Sequence, residues 1–285
     1  MTEAGRAGTP GRERDGDPWT DVPRHSRVAL FGGIYSNHVA LARAIDDARD
    51  RGADAVYALG DLGAFGPHPD KVFPLLEREG IPVVRGNYDD SIARGLDDCQ
   101  CGYTDPRDNH FARLSYEYTL AHTASAHRAR MATFPEALRF RVGDLRVLAC
   151  HGSPRRMNEF LWESATPTHF LERLTRHYDT DVIVGTHTGL HWQRQVGPHA
   201  WYVNAGALGR PANDGRTEVW YALIEADGKG ALQTRFVPLA YDHEALADEM
   251  RDERLPEEFI ATIRTGWWTT CLEVLPGKER ARGRY

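Results

Sequence analysis

Four residues with the chemistry of metal ligands stand just past short apolar runs: Asp61, Asn87, His151 and His187. Asp61 ends the stretch Ala55-Val56-Tyr57-Ala58-Leu59-Gly60, and Asn87 ends Ile81-Pro82-Val83-Val84-Arg85-Gly86. His151 follows Arg146-Val147-Leu148-Ala149-Cys150, and His187 follows Asp181-Val182-Ile183-Val184-Gly185-Thr186. A carboxylate, an amide oxygen and two imidazoles form a borderline donor set suited to manganese, iron or zinc. Each has a plain structural use when taken singly. An Asp past a strand caps the next helix, and a lone His there is more often a hydrogen-bonded core residue than a ligand. It is the shared placement of all four that points to one metal site. In open α/β sheets, binding crevices lie at the carboxyl ends of the strands.

The elements that must position these residues can be read from periodicity. Arg27-Val28-Ala29-Leu30-Phe31 predicts a first strand, closed by Gly32-Gly33. Val39, Leu41, Ala42, Ile45 and Ala48 recur at helical spacing, so a helix is expected from about 37 to 51. A second strand over 55–59, a helix over 71–79 and a third strand over 81–84 continue the rhythm. This alternation argues for crossover connections, with sheet strands inside and helices outside. Residues 91–136 read as polar helix broken by a turn-rich stretch at 99–109. A hairpin is expected around Gly143-Asp144, followed by a buried strand over 181–184. The runs 201–204, 218–224 and 232–237 read as strands of a second sheet, and charged helix follows from Asp242.

Composition narrows the class. The chain has 285 residues, 41% apolar and 27% charged, with a formal net charge of −6. An acidic balance argues against a general nucleic-acid binder, yet leaves room for a locally basic pocket and a small anionic substrate. No apolar run reaches membrane-spanning length, and residues 1–22 lack the apolar segment of a secretory signal. A cytoplasmic location is therefore expected, with no membrane partner. Residues 1–24, rich in Gly, Pro, Arg and acids, are expected to form a disordered leader. Residues 25–241 form the domain, and 242–285 a helical extension packed on it.

Secondary candidates accompany the ligands. Arg155 and Arg210 carry guanidinium forks that match phosphate or carboxylate, and Asn37 stands at a helix N-terminus, where anions are welcome or a simple cap suffices. Cys99 and Cys101 form a C-x-C pair that could seat a soft metal. The plainer expectation is reduced thiols, since a disulfide framework is not expected without a secretory signal. Trp267-Trp268 is expected to cap a core, with a homodimer contact as the weaker expectation.

The motifs Gly60-Asp61, Gly86-Asn87-Tyr88-Asp89, His151-Gly152-Ser153-Pro154-Arg155 and Val203-Asn204-Ala205-Gly206 through Arg210-Pro211 occur in a telling order. In that order the sequence resembles the calcineurin-like metallophosphoesterases, in particular their small bacterial YfcE-like phosphodiesterase branch, over residues 27–266. The resemblance implies a four-layer α/β/β/α sandwich of two mixed sheets. It also implies a dimetal site at the strand ends, the ions about 3.5–4 Å apart. Two family motifs are altered here. Gly33 and Tyr35 replace the Asp and His of the first. In Gly185-Thr186-His187-Thr188-Gly189 an ungapped alignment puts Thr186 and Thr188 at both His positions of the last motif, whereas the preferred one-residue gap leaves His187 as its first His. Gly189 then replaces the second His, and Leu190-His191-Trp192 aligns with the apolar-Pro-aromatic stretch that often follows. The first ion loses all its private ligands, while the second keeps Asp61, Asn87, His151 and His187. The implied site is mononuclear, holding one divalent or trivalent transition metal (Mn, Fe or Zn).

Tyr88 stands where many relatives have the His that protonates the leaving group, and a phenol is a weaker acid at neutral pH. Tyr35 is expected to fill the vacated first site and hydrogen-bond substrate or water, or to ligate an oxidised iron. His38 and His191 are candidate replacement ligands. Three functions follow: hydrolysis of a phosphate ester or related anion at one ion, a scaffold turned to redox or lyase chemistry at a single iron, and a non-catalytic ligand-binding relic.

Overall fold

The computed structural model describes residues 18–282. Ten strands lie in two sheets. The six-stranded sheet contains β1 (Arg24–His25), β4 (Ala137–Val142), β5 (Leu145–Cys150), β6 (Val182–Gly185), β8 (Ala200–Ala205) and β7 (His191–Gly197), in that spatial order. The four-stranded sheet runs β10 (Leu232–Leu239), β9 (Val219–Ala226), β2 (Arg27–Phe31) and β3 (Ala55–Ala58). Both are mixed: β2 pairs parallel with β3 but antiparallel with β9, and β5 pairs antiparallel with β4 but parallel with β6.

Alternation along the strands explains the layering. Val28 and Leu30 of β2 meet Val147, Ala149, Val182, Val184 and Val203 of the other sheet in the inter-sheet core. Ala29 and Phe31 point the opposite way, against α1 (His38–Asp50) and α2 (Val72–Arg78). On the far side of the larger sheet, Leu171 and Leu174 of α6 (Thr168–His177) pack on Ile183, Trp192 and Tyr202. The order is therefore helix, sheet, sheet, helix, as the sequence implied. The remaining helices are α3 (Asn87–Arg94), α4 (Pro106–His122), α5 (Ser125–Met131), α7 (His243–Asp252), α8 (Glu257–Thr265) and α9 (Gly277–Arg282).

Four expectations need correction. Residues 18–24, placed in the disordered leader, are structured: Trp19 is 1% exposed with Arg139 and Arg146 over its ring, and Arg24 pairs with Arg141. One large ring supplied enough apolar area to anchor a polar segment. Residues 1–17 lie outside the described residues. The strands near 201, 219 and 232 do not share a sheet: β8 joins β6, whereas β9 and β10 extend β2. Periodicity marks a strand but is silent on its neighbour. The stretch 81–84 contributes only the bridge Ala58↔Val83, because Pro82 cannot donate to a ladder. Finally, Cys99 and Cys101 are joined by a disulfide rather than free. They flank Gln100, whose φ of 55° turns the chain back and brings the two Cα atoms within 5.3 Å.

The tail beyond Asp242 packs on this framework. Leu246, Met250, Phe259 and Ile263 form a cluster with Phe111 of α4 and reach Phe65 and Val39. No helix among the described residues is long and apolar enough to cross a membrane.

Candidate metal centre

Two loops create the centre by gripping each other. After β2, the backbone N–H groups of Ile34 and Tyr35 both donate to the Asp61 carbonyl, at 3.0 and 2.9 Å, and Ser36 N–H donates to Leu62 at 2.8 Å. Tyr35, Ser36 and Asp61 adopt φ of 50°, 57° and 53°, and His187 adopts 67°. A left-handed conformation costs a residue with a Cβ about 1–2 kcal/mol, so the surrounding bonds must hold these turns in place. Asp89 supplies three such bonds. Its carboxylate accepts from Asp61 N–H and Gly86 N–H at 2.8 Å and from Leu62 N–H at 3.0 Å. Burial, and then the neighbouring Asp61, push its pKa up to about 7. The motif alone does not reveal this role; the signal in the sequence is an acid three residues after Gly86, at the third position of a helix.

Asp61, His151 and His187 offer donor atoms that all lie within 4.8 Å of one another. Asp61 Oδ1 accepts the Tyr88 N–H at 3.0 Å, leaving Oδ2 facing His151 Nε2 at 3.2 Å. His151 Nδ1 donates to the Leu59 carbonyl at 2.6 Å, which leaves an unprotonated Nε2 lone pair when the ring is neutral. That lone pair also lies 3.1 Å from His187 Nδ1. A lone pair against a carboxylate calls for a cation between them. Burial would lower the His151 pKa, but the Asp61 carboxylate outweighs it and holds it above the ordinary value, so the pair favours a proton at this place. His187 goes the other way, down to about 3, through burial and then the His151 charge.

Asn87 is buried at the start of α3. Its Nδ2 donates to the Cys99 carbonyl at 2.7 Å and approaches Cys101 Sγ at 3.4 Å. Its Oδ1 is buried and, like His187 Nε2, has no hydrogen-bond partner among the described residues. Orphaned buried acceptors are costly unless something fills the gap. The donor set and its orphans fit a divalent ion.

The chain matches the calcineurin-like phosphoesterase superfamily domain over residues 27–229. It belongs to that family. An uncharacterized protein of Methanocaldococcus jannaschii is 20% identical over 247 residues, covering 81% of this chain and 95% of its own. A hypothetical protein of Pyrococcus horikoshii superposes with a TM-score of 0.71 at 22% identity, over 85% of this chain and 99% of that one. A metallophosphoesterase of Sphaerobacter thermophilus gives 0.63 at 23%, with the same coverage of both chains. For a calcineurin-like phosphoesterase a divalent ion is implied, and Asp61, His151 and His187 are its candidate site here.

The positions altered in this calcineurin-like phosphoesterase are physically filled. A Cβ on Gly33 would stand 2.5 Å from the Tyr35 ring, and one on Gly189, at φ +74°, would stand 3.0 Å from the Trp268 ring. Tyr35 Cβ packs in turn by Gly209, and its ring meets Phe65 edge-on. Tyr35, Tyr88, Tyr103, Phe160, Cys101 and Cys271 wall a cavity of about 30 Å³ that opens onto Asp61 and His187. A space of this size has room for an ion or one or two waters. Cys101 and Tyr103 also border an open surface cleft of about 560 Å³.

The other predicted residues divide. Arg210 is 6% exposed, stacked between Trp268 (4.0 Å) and Phe65 (4.7 Å), with one N–H on the Thr270 carbonyl. Its charge lowers the pKa of Tyr35 and Cys271, against the larger effect of burial on each. Arg155 is more than half exposed, bonded to Glu159 at 2.9 Å and laid over Phe170. The adjacent Arg156 is the one whose charge reaches His187, behind burial and His151. Asn37 caps α1, its Oδ1 accepting from Ala40 N–H, and its Nδ2 donates to the Gly209 carbonyl. Tyr88 spends its hydroxyl on Ser115 at 3.1 Å, and burial raises its pKa far from an acid's working range. Trp268 is buried, its Nε1 on the Pro211 carbonyl, and Trp267 covers Gly215.

Neither replacement ligand joins the centre. His38 faces Glu249 at 3.4 Å, and His191 stacks on Trp220 and Phe236 at 4.3 and 4.8 Å. Burial lowers the His191 pKa from 6.5 to about 4. The unfolded chain therefore takes up this proton first as pH falls. The stability of the neutral ring is present above the ordinary pKa and lost as pH drops from there towards 4. His191→Phe should flatten the fall in urea midpoint between roughly pH 7 and 5, by about one proton taken up on unfolding. Equal slopes for both proteins would refute this.

Proposed function

We propose that the protein is a single-metal phosphoesterase, with Asp61, Asn87, His151 and His187 holding one ion and Arg210 holding the anionic part of a phosphate ester. The observation that carries this reading is the buried cluster of Asp61, His151 and His187, whose donor atoms all lie within 4.8 Å of one another, with the buried, unpartnered Asn87 Oδ1 as a further acceptor. When bound, the ion supplies Lewis acidity and a water of lowered pKa.

The chain's own residues do the rest. His151 is held by Leu59 so that its Nε2 faces Asp61, and once deprotonated it would offer that lone pair to an ion. Tyr35 remains a neutral donor, its hydroxyl at the cavity wall, where it offers a hydrogen bond to a phosphoryl oxygen. Arg210 is a desolvated cation with no carboxylate within 4.0 Å among the described residues. A buried charge without a counter-ion favours an incoming anion. The ring stack fixes the guanidinium plane, so binding requires little reordering.

The test is hydrolysis of bis-p-nitrophenyl phosphate and p-nitrophenyl phosphate by protein loaded with manganese, zinc or iron(II). Turnover should follow metal content near one ion per chain. Arg210→Lys should raise KM about tenfold or more with a smaller change in kcat, because a point charge loses the forked contact. Metal-loaded protein that cleaves neither ester would overturn hydrolysis and favour the redox, lyase or ligand-binding alternatives. A coloured iron–phenolate band would single out the first of these.

A further inference from the structure

The Cys99–Cys101 disulfide stands where it can control a metal ligand. Asn87 Nδ2 is tied to the Cys99 carbonyl and lies beside Cys101 Sγ, and these contacts fix the amide whose Oδ1 is buried and without a partner, one residue before the Tyr88 N–H that binds Asp61. The closed Cys99–Gln100–Cys101 ring fixes that carbonyl. Gln100 is held at φ 55°, and its own carbonyl accepts from Asn158 Nδ2 at 2.7 Å. The bond is also reachable. Both cysteines line the surface cleft; Cys99 is 3% exposed and Cys101 more open.

We infer that Cys99 and Cys101 form a thiol–disulfide switch that sets metal affinity through Asn87. The inference rests on the single-metal reading above. A dithiol reductant entering from the cleft attacks Cys101 Sγ, the S–S bond breaks, and Cys99 leaves as a thiolate that takes up a proton. The second thiol of the reductant then attacks the mixed disulfide, releasing Cys101 and closing the reductant's own disulfide. Two electrons pass to the protein, and the reductant is oxidised by two. With the ring open, the Cys99 carbonyl is free to leave Nδ2, and the amide is no longer held with its oxygen towards the ion. Loss of a partner that orients a ligand lowers metal affinity about 10- to 100-fold.

The experiment uses the full chain in two redox states, with the reductant removed by gel filtration under argon. Thiol counting defines the states, since Cys150 and Cys271 are free in both. Zinc and manganese affinities are then measured by calorimetric titration. The disulfide form should bind about 10- to 100-fold more tightly. Cys99→Ser/Cys101→Ser should match the reduced protein whether or not it has met a dithiol. Asn87→Ala, still able to cycle its thiols, should lose the difference between states. Equal affinities, or tighter binding when reduced, would overturn the switch and leave the metal site standing. No metal binding in either state would overturn both.

Discussion

Asp61→Asn should strip the protein of stoichiometric metal while leaving it folded. The substituted amide keeps the acceptor that Tyr88 N–H needs at Oδ1. Its NH₂ then faces His151 Nε2 across the 3.2 Å now spanned by the carboxylate, and donates to that lone pair. A hydrogen bond replaces the gap that called for a cation, so the metal-free variant should unfold at or above the wild-type temperature. Metal affinity should fall by more than about 100-fold, beyond the loss typical of a residue that only orients a ligand. Elemental analysis, calorimetric titration and a thermal melt check this together. Wild-type metal content would show that the ion lies elsewhere, and an unfolded variant would show that the carboxylate is structural. The sign with pH also follows. A proton on His151, held above its ordinary pKa by Asp61, competes with the ion. Wild-type metal affinity should therefore fall as pH drops, as expected for a ligand that must be deprotonated.

The second prediction concerns the filled neighbouring site. Gly33→Asp alone places a Cβ 2.5 Å from the Tyr35 ring and should destabilise the fold by about 1–3 kcal/mol, as overpacking does. Gly33→Asp combined with Tyr35→His removes the ring and adds two donors. The double variant should recover stability relative to the single one and raise metal content from about one to about two ions per chain, the arrangement of two-metal esterases. A ratio that stays near one would mean that these two residues do not set the stoichiometry. The remaining candidate would then be Trp268, whose ring fills the space beside Gly189.

These predictions show which features could be read from sequence. The clustering of Asp61, His151 and His187 was legible because each follows an apolar run, and a strand's end is a local property of the chain. The layer order was legible through the motifs that carried the resemblance. The partner of β8 was not, because alternation is the same in either sheet. Trp19 was hidden by its polar neighbours, whose composition outweighed a single ring. Arg155 and Arg210 look alike in sequence; only packing separates an arginine bound to Glu159 from one enclosed by Phe65 and Trp268. The disulfide escaped because a C-x-C pair closes only when its middle residue turns left-handed, as Gln100 does.

The wall of the cavity has a consequence for how the centre is assembled. All four donor residues lie at or before His187, whereas Cys271 and the Trp268 ring come from the far end of the chain. A polypeptide is made in order, at about 5–20 residues per second. The ligands thus leave the ribosome ahead of the residues that enclose them, by roughly 4–17 seconds at that rate. During that interval the cluster faces solvent with one side open. Tyr35, Tyr88, Tyr103 and Phe160 are already made by then, so the late residues close a wall that the earlier aromatics have begun. The enclosure of the centre is thus the last part of it to be synthesised.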